Sequence, residues 1–116
     1  MAEKVTKTNL NDFLSRKPYS VIHFDAGWDG YRFTVTKNID ALIPLLNEEV
    51  SFGYVDVDEE QDLAKEIRLL DVPSVAYYQG AKLIATVIGV KQNIEDNIAR
   101  MKRGEQLDSS KRISRF

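Results

Sequence analysis

Val21-Ile22-His23-Phe24-Asp25-Ala26-Gly27-Trp28-Asp29-Gly30-Tyr31-Arg32 is the stretch on which the reading of this chain turns. Tyr19 to Phe24 reads as a buried strand. Asp25 to Gly30 holds two glycines and two aspartates, the composition of a loop. From about Tyr31 to Glu48 the pattern turns helical, with Phe33, Ile39, Leu42, Ile43 and Leu46 as expected core contacts. Pro44 lies inside that pattern and predicts a kink or an early end.

Downstream, Val50 to Val57 alternates as a second strand. Asp58 is the expected cap of a further helix, with Glu59 and Glu60 in its first turn, where the helix dipole favours negative charge. Leu63, Ile67 and Leu70 give that helix its apolar stripe, and Asp71-Val72-Pro73 breaks it. Ser74 to Tyr78 and Leu83 to Ile88 read as strands joined through Gln79-Gly80-Ala81-Lys82, a loop that suits a hairpin. Gly89 ends the second of them. Ile94, Ile98 and Met101 mark a closing amphipathic helix that Gly104 terminates. Upstream, residues 1–7 around Val5 suit a short edge strand. Thr8 or Asn11 is the expected cap of a helix to about Arg16, with Leu10, Phe13 and Leu14 on one face, and Pro18 ends it. The order β-α-β-α-β-α-β-β-α predicts an α/β fold: a mixed central β-sheet with helices on both faces, its early strands parallel and its last pair an antiparallel hairpin.

The chain has 116 residues, 43% of them hydrophobic, which suits one domain, expected over residues 1–105. Residues 106–116, with Lys111, Arg112 and Arg115, read as a flexible polar and basic tail. A net charge of −2 gives no strong electrostatic drive toward nucleic acid. The chain has no cysteine, which excludes disulfides, thiolate nucleophiles and Cys-type metal sites. His23 is its one histidine, which argues against a histidine-based metal centre, and no cofactor is expected. No apolar run is long enough to cross a membrane, and Met1 to Leu10 lacks the apolar segment of a signal peptide, so a cytoplasmic protein is expected.

Several motifs in register resemble the thioredoxin family. Val21-Ile22-His23-Phe24 leading into Trp28-Asp29-Gly30-Tyr31-Arg32 is similar to the family's strand and its Trp-Cys-Gly-Pro-Cys loop at a helix N-terminus. Tyr54-Val55-Asp56-Val57-Asp58 resembles the central strand with its terminal aspartate. Val72-Pro73-Ser74 resembles Ile-Pro-Thr, whose proline is cis, and Lys82 to Gly89 resembles the last hairpin strand. The resemblance places Asp29 and Arg32 where the family has its active cysteines and Tyr31 where a proline is usual. His23 stands for the buried carboxylate, and Tyr54 for the lysine beside it. Both sulfurs and their proton circuit are therefore missing. Dithiol chemistry needs a thiolate of lowered pKa and a resolving thiol, and a carboxylate at Asp29 cannot form a disulfide.

What the resemblance leaves is a docking surface. In the family, backbone groups beside the proline accept an extended peptide as an added strand, a mode that needs no cysteine. The matching residues are Trp28, Gly30, Tyr31, Val72, Pro73, Ser74, Ile88, Gly89 and Val90, flanked by Asp29 and Arg32, with Asp25, Asp29 and Asp71 as an acidic rim. The expected partner is a protein or extended peptide, neutral or basic rather than acidic, with no role for nucleic acid or membrane; a second copy of the chain is another candidate. The leading expectation is a non-catalytic binding module with a chaperone-like, assembly or scaffold role. The alternative is a small-ligand-binding protein or non-thiol enzyme using Asp29, Tyr31 and Arg32 at the helix N-terminus, a natural anion site that the Asp29 charge would oppose. Plainer readings stand beside these. Asp29 as N-cap with Arg32 as its exposed ion partner accounts for both, and Trp28 could simply pack on its loop. His23 is expected to be a buried structural group with Tyr54 as a candidate partner across the strands.

Overall fold

In the computed structural model the described residues are 2–28, 30 and 32–107, with only the backbone of Arg32. The order is β1 (Glu3–Lys4), α1 (Leu10–Ser15), β2 (Tyr19–Asp25), α2 (Arg32–Leu46), β3 (Val50–Asp56), α3 (Gln61–Glu66), β4 (Ser74–Gln79), β5 (Lys82–Ile88) and α4 (Ile94–Lys102). The strands form one sheet in the order β1-β3-β2-β4-β5. β1 and β2 each pair with β3 in parallel, while β2–β4 and β4–β5 are antiparallel. This is the mixed α/β architecture that the alternation of strand and helix patterns predicts.

Strand alternation explains how the sheet carries two cores. Val21 and Phe52 face α2 and α4, where Val35, Ile39, Ile98 and Met101 cover them. Ile22, Phe24 and Val55 face the other way, toward Phe13 and Leu14 of α1 and Leu63 of α3. β2, paired on both edges and covered on both faces, is buried from Ser20 to Asp25.

Several boundaries differ from the sequence reading, each for a local reason. Asn9, not Thr8 or Asn11, stands at the N-cap position of the first helix, and its side chain makes no capping bond to the helix. The Asn9 Oδ1 accepts from the Thr6 amide at 2.8 Å while Asn9 Nδ2 donates to the Lys4 carbonyl, so this side chain ties β1 to α1. α3 starts at Gln61 after Glu60, not at Asp58, whose own amide donates to Asp56 Oδ1. In α2, Phe33 is 66% exposed and not a core contact, and Val35 takes the buried position instead. Ile39 is buried, while Leu42, Ile43 and Leu46 pack on the core from its margin. The helix runs through Pro44 and ends two residues later. Leu107 is 3% exposed and belongs to the α2–α4 core, so the packed chain extends past residue 105 into the segment read as tail; residues 108–116 lie outside the described residues.

α3 and α4 end in the same way. The Leu69 amide donates to the Ala64 carbonyl and Arg68 to Lys65; likewise Glu105 donates to Arg100 and Gly104 to Met101. Both are Schellman closures, which need one residue in the left-handed region. Gly104 takes it at φ 74°, but in α3 the residue is Arg68 at φ 56°. A side chain there costs about 1–2 kcal/mol, partly offset by the greater backbone entropy of glycine. Arg68→Gly is therefore expected to raise stability by about 0.5–1 kcal/mol, read as a higher urea midpoint at unchanged slope. An unchanged or lower midpoint would mean that Arg68 makes a compensating contact.

Candidate functional site

The loop 26–31 connects β2 to α2 at the carboxyl ends of the parallel strands, and the sheet register decides what lies beside it. Phe24 is paired with Ser74, and Ser74 with Ile88, so the end of β2, the start of β4 and the end of β5 meet along one border of the sheet. The Gly89 amide extends the β4–β5 ladder by donating to the Pro73 carbonyl at 2.9 Å, with Gly89 at φ 119°. The Val72–Pro73 peptide is cis. Trp28 stands out from this border with 70% of its surface exposed.

The candidate residues divide by accessibility. Trp28 and Gly30 are exposed, and Val72, Ile88, Gly89 and Val90 are half-buried. Pro73 and Ser74 are buried, and Ser74 Oγ donates to the Asp71 carbonyl at 2.6 Å, so neither offers its side chain to a partner. Asp29 and Tyr31 lie outside the described residues, as does the Arg32 side chain; Arg32 opens α2. The alternative site built on these three therefore rests on sequence alone. Asp25, expected on the rim, is the last residue of β2 and is buried.

The backbone at Pro73 is already engaged. The Val72 amide donates to Asp71 Oδ1 at 2.8 Å, and the Pro73 carbonyl holds Gly89. A peptide pairing with the Val72 amide has to displace the Asp71 carboxylate first. Gln92, which the sequence reading passed over, braces the far side. Its Nε2 donates to the carbonyls of Val87 and Gly89, each at 2.8 Å, and its Oε1 accepts from the Tyr77 hydroxyl at 2.6 Å. Burial pushes the Tyr77 hydroxyl above the ordinary tyrosine pKa, so it remains a donor.

His23 is buried, as expected, but its polar contact is with Asp25 and not with Tyr54. His23 Nε2 lies 3.1 Å from Asp25 Oδ2, two residues along the same face of β2. The two atoms touch without hydrogen-bond alignment, and neither has a hydrogen-bond partner. Tyr54, paired with His23 in register, is 39% exposed and is not a buried structural residue. Its ring stands on the wall of a cleft of about 260 Å3 whose lining includes His23, Asp25, Phe33 and Ile39.

The thioredoxin family model matches residues 1–100. The chain belongs to the thioredoxin family. Thioredoxin-2 of Saccharomyces cerevisiae is 31% identical over 86 residues, covering 67% of this chain and 79% of that protein. Thioredoxin H2 of Arabidopsis thaliana is 27% identical over 95 residues, covering 81% of this chain and 71% of its own length. Among solved structures, mitochondrial thioredoxin 3 of Saccharomyces cerevisiae in its oxidised form superposes with a TM-score of 0.74 at 27% identity, covering 88% of this chain and 94% of that one. The zinc-bound form of human ERp44 shares the fold at 20% identity and a TM-score of 0.73 over 88% of this chain and 32% of its own. This thioredoxin-family chain has no cysteine, so thiol–disulfide exchange through its own side chains is chemically excluded. Among the described residues no helix is long and apolar enough to cross a membrane.

Proposed function

We propose that this thioredoxin-family chain is a non-catalytic binding module that docks a protein or extended peptide at the border formed by the β2–α2 loop, Val72 and residues 88–90. The observation that carries this reading is Trp28, 70% exposed on the loop between β2 and α2. A large aromatic side chain is costly to leave in water and contributes strongly when a partner covers it. Half-buried Val72, Ile88 and Val90 supply an apolar floor. Asp71, at the edge, favours neutral or basic ligands over acidic ones. Because Asp71 occupies the Val72 amide, side-chain anchoring leads and strand addition follows only when that carboxylate is displaced. A chaperone-like, assembly or scaffold role in the cytoplasm fits such a module.

Affinity capture from cell extract, followed by titration of the purified pair, tests this reading. Trp28→Ala is expected to weaken binding by about tenfold or more, with an unchanged melting temperature because the side chain is exposed. Val72→Asp should also weaken binding, here with some loss of stability because Val72 packs on the core beside α1 and α3. A partner that ignores both substitutions would refute the docking face, and self-association detected by sedimentation and lost with Trp28→Ala would place a second copy of the chain on it.

A further inference from the structure

We propose that residues 108–116 of this chain fold back along α2 and seat Phe116 in the cleft walled by Phe33 and Tyr54. The cleft, of about 260 Å3, lies at the carboxyl ends of β2 and β3. Its lining is mostly apolar: Phe33 is 66% and Tyr54 39% exposed, and Ala26, Ile39 and Val55 complete it. Aromatic surface left open to water is surface that an apolar side chain gains by covering.

A seam leads to the cleft from the opposite end of the sheet. Phe33, Thr36 and Asp40 border the cleft itself. Ile43, further along α2, and Asn47, just past its end, border a second hollow of about 240 Å3 with Val50 and Phe52 of β3. Positions 33, 36, 40, 43 and 47 recur at helical spacing, so both hollows follow one side of α2. The segment starts within reach of this seam. Leu107 packs in the α2–α4 core, and Lys102 of α4 pairs with Glu49, the residue before β3. From there the way to the cleft follows β3, seven residues long, or about 20 Å. Residues 108–116 fully extended span roughly 30 Å, so Ile113 to Phe116 come level with the cleft.

Charge selects this occupant. Asp40 and Asp56 line the cleft and pair with no lysine or arginine among the described residues. Residues 108–116 carry Lys111, Arg112 and Arg115 against a single acid, Asp108, with Ile113 and Phe116 as their apolar members. Arg112 and Arg115 flank Ile113 and reach the two carboxylates when Phe116 enters the cleft. At the foot of the seam the chain's own cations are already engaged: Arg16 pairs with Glu3 and Asp12, and Lys17 donates to the Asn47 carbonyl. Attraction between exposed charges is modest and screened by salt, so the covered aromatic surface carries most of the binding and the charges fix its direction. The docking reading plays no part here; its border involves other side chains.

A nitroxide attached at Ser114→Cys tests the proposal on the full chain, because no other cysteine is present to take the label. The amides of residues 33–40 and 54–56 are expected to broaden. That broadening should fall by about half or more with Phe116→Ala, and likewise with Phe33→Ala, whose exposed side chain leaves the fold intact. It should also fall with Arg112→Glu and Arg115→Glu together, and in about 0.5 M salt. Broadening confined to residues near Leu107, or unaltered by the substitutions, would overturn the assignment. So would equal broadening in a mixture of nitroxide-bearing chain with isotope-labelled chain that carries no nitroxide, a result that would seat the segment on a second copy.

Discussion

Gly53→Ala is expected to destabilise the fold by about 2–3 kcal/mol. A Cβ at Gly53 would sit 2.6 Å from Val5 Cγ2, 2.9 Å from Phe13 Cζ and 3.2 Å from the Glu3 carbonyl oxygen. Val5 and Phe13 are almost wholly buried, so neither side chain has room to retreat. Gly53 is the β3 residue that pairs with Glu3 on one side and Ile22 on the other. The added methyl therefore pushes on β1, which is held by two paired residues and the Val5 amide on the Tyr54 carbonyl. Urea denaturation should show the loss, and hydrogen exchange should show the Val5 amide opening early. A loss below about 0.5 kcal/mol, the size of an ordinary surface change, would mean that the Val5–Phe13 contact is loose.

Gln92→Ala is expected to cost about 2–3 kcal/mol, because one truncation breaks three hydrogen bonds. It removes the donors to the Val87 and Gly89 carbonyls and the acceptor of Tyr77. Asn97 Nδ2 still donates to the Tyr77 hydroxyl at 3.0 Å, but the buried O–H is left with no acceptor of its own. The substitution should also loosen residues 88–90, so partner binding should weaken alongside stability. Gln92→Glu separates the two roles, since it keeps an acceptor for Tyr77 and loses both donors. Stability equal to that of the parent chain in Gln92→Ala would show that the network is dispensable.

The element order was legible because each element carries a strong local signal. β2, β3 and β4 are apolar runs bounded by breakers, and α4 repeats Ile94, Ile98 and Met101 at helical spacing. Errors arose where one residue shifts the phase. Phe33 sits two positions from Val35, off the stripe that Val35, Ile39, Leu42 and Leu46 share, so its ring turns to the cleft. Arg68 at positive φ breaks the helical phase of α3, which is why Leu69 is buried and Leu70 only partly so. Tyr54 lies on the same face as Phe52 but stands on the wall of the cleft, and strand alternation does not report that difference.

The site was legible to a lesser degree. The border of Trp28, Val72 and residues 88–90 follows from sheet register, which the resemblance supplied. Pattern alone did not reveal the Asp71 carboxylate on the Val72 amide or Gln92 on three groups, because both depend on side-chain direction in loops. The His23–Asp25 contact spans one intervening residue, an ordinary spacing in any strand, so the sequence did not single it out.

The strand order β1-β3-β2-β4-β5 has a consequence for how the chain is made. β2 lies at the centre, yet its antiparallel neighbour β4 begins only at Ser74. On the ribosome, a nascent chain that ends before Ser74 presents the apolar β2 as an open edge along its whole length. Unpaired apolar edges of that kind pair with other chains. Emergence of β4, followed by its hairpin with β5, closes the edge, so the last third of the polypeptide guards the first during synthesis.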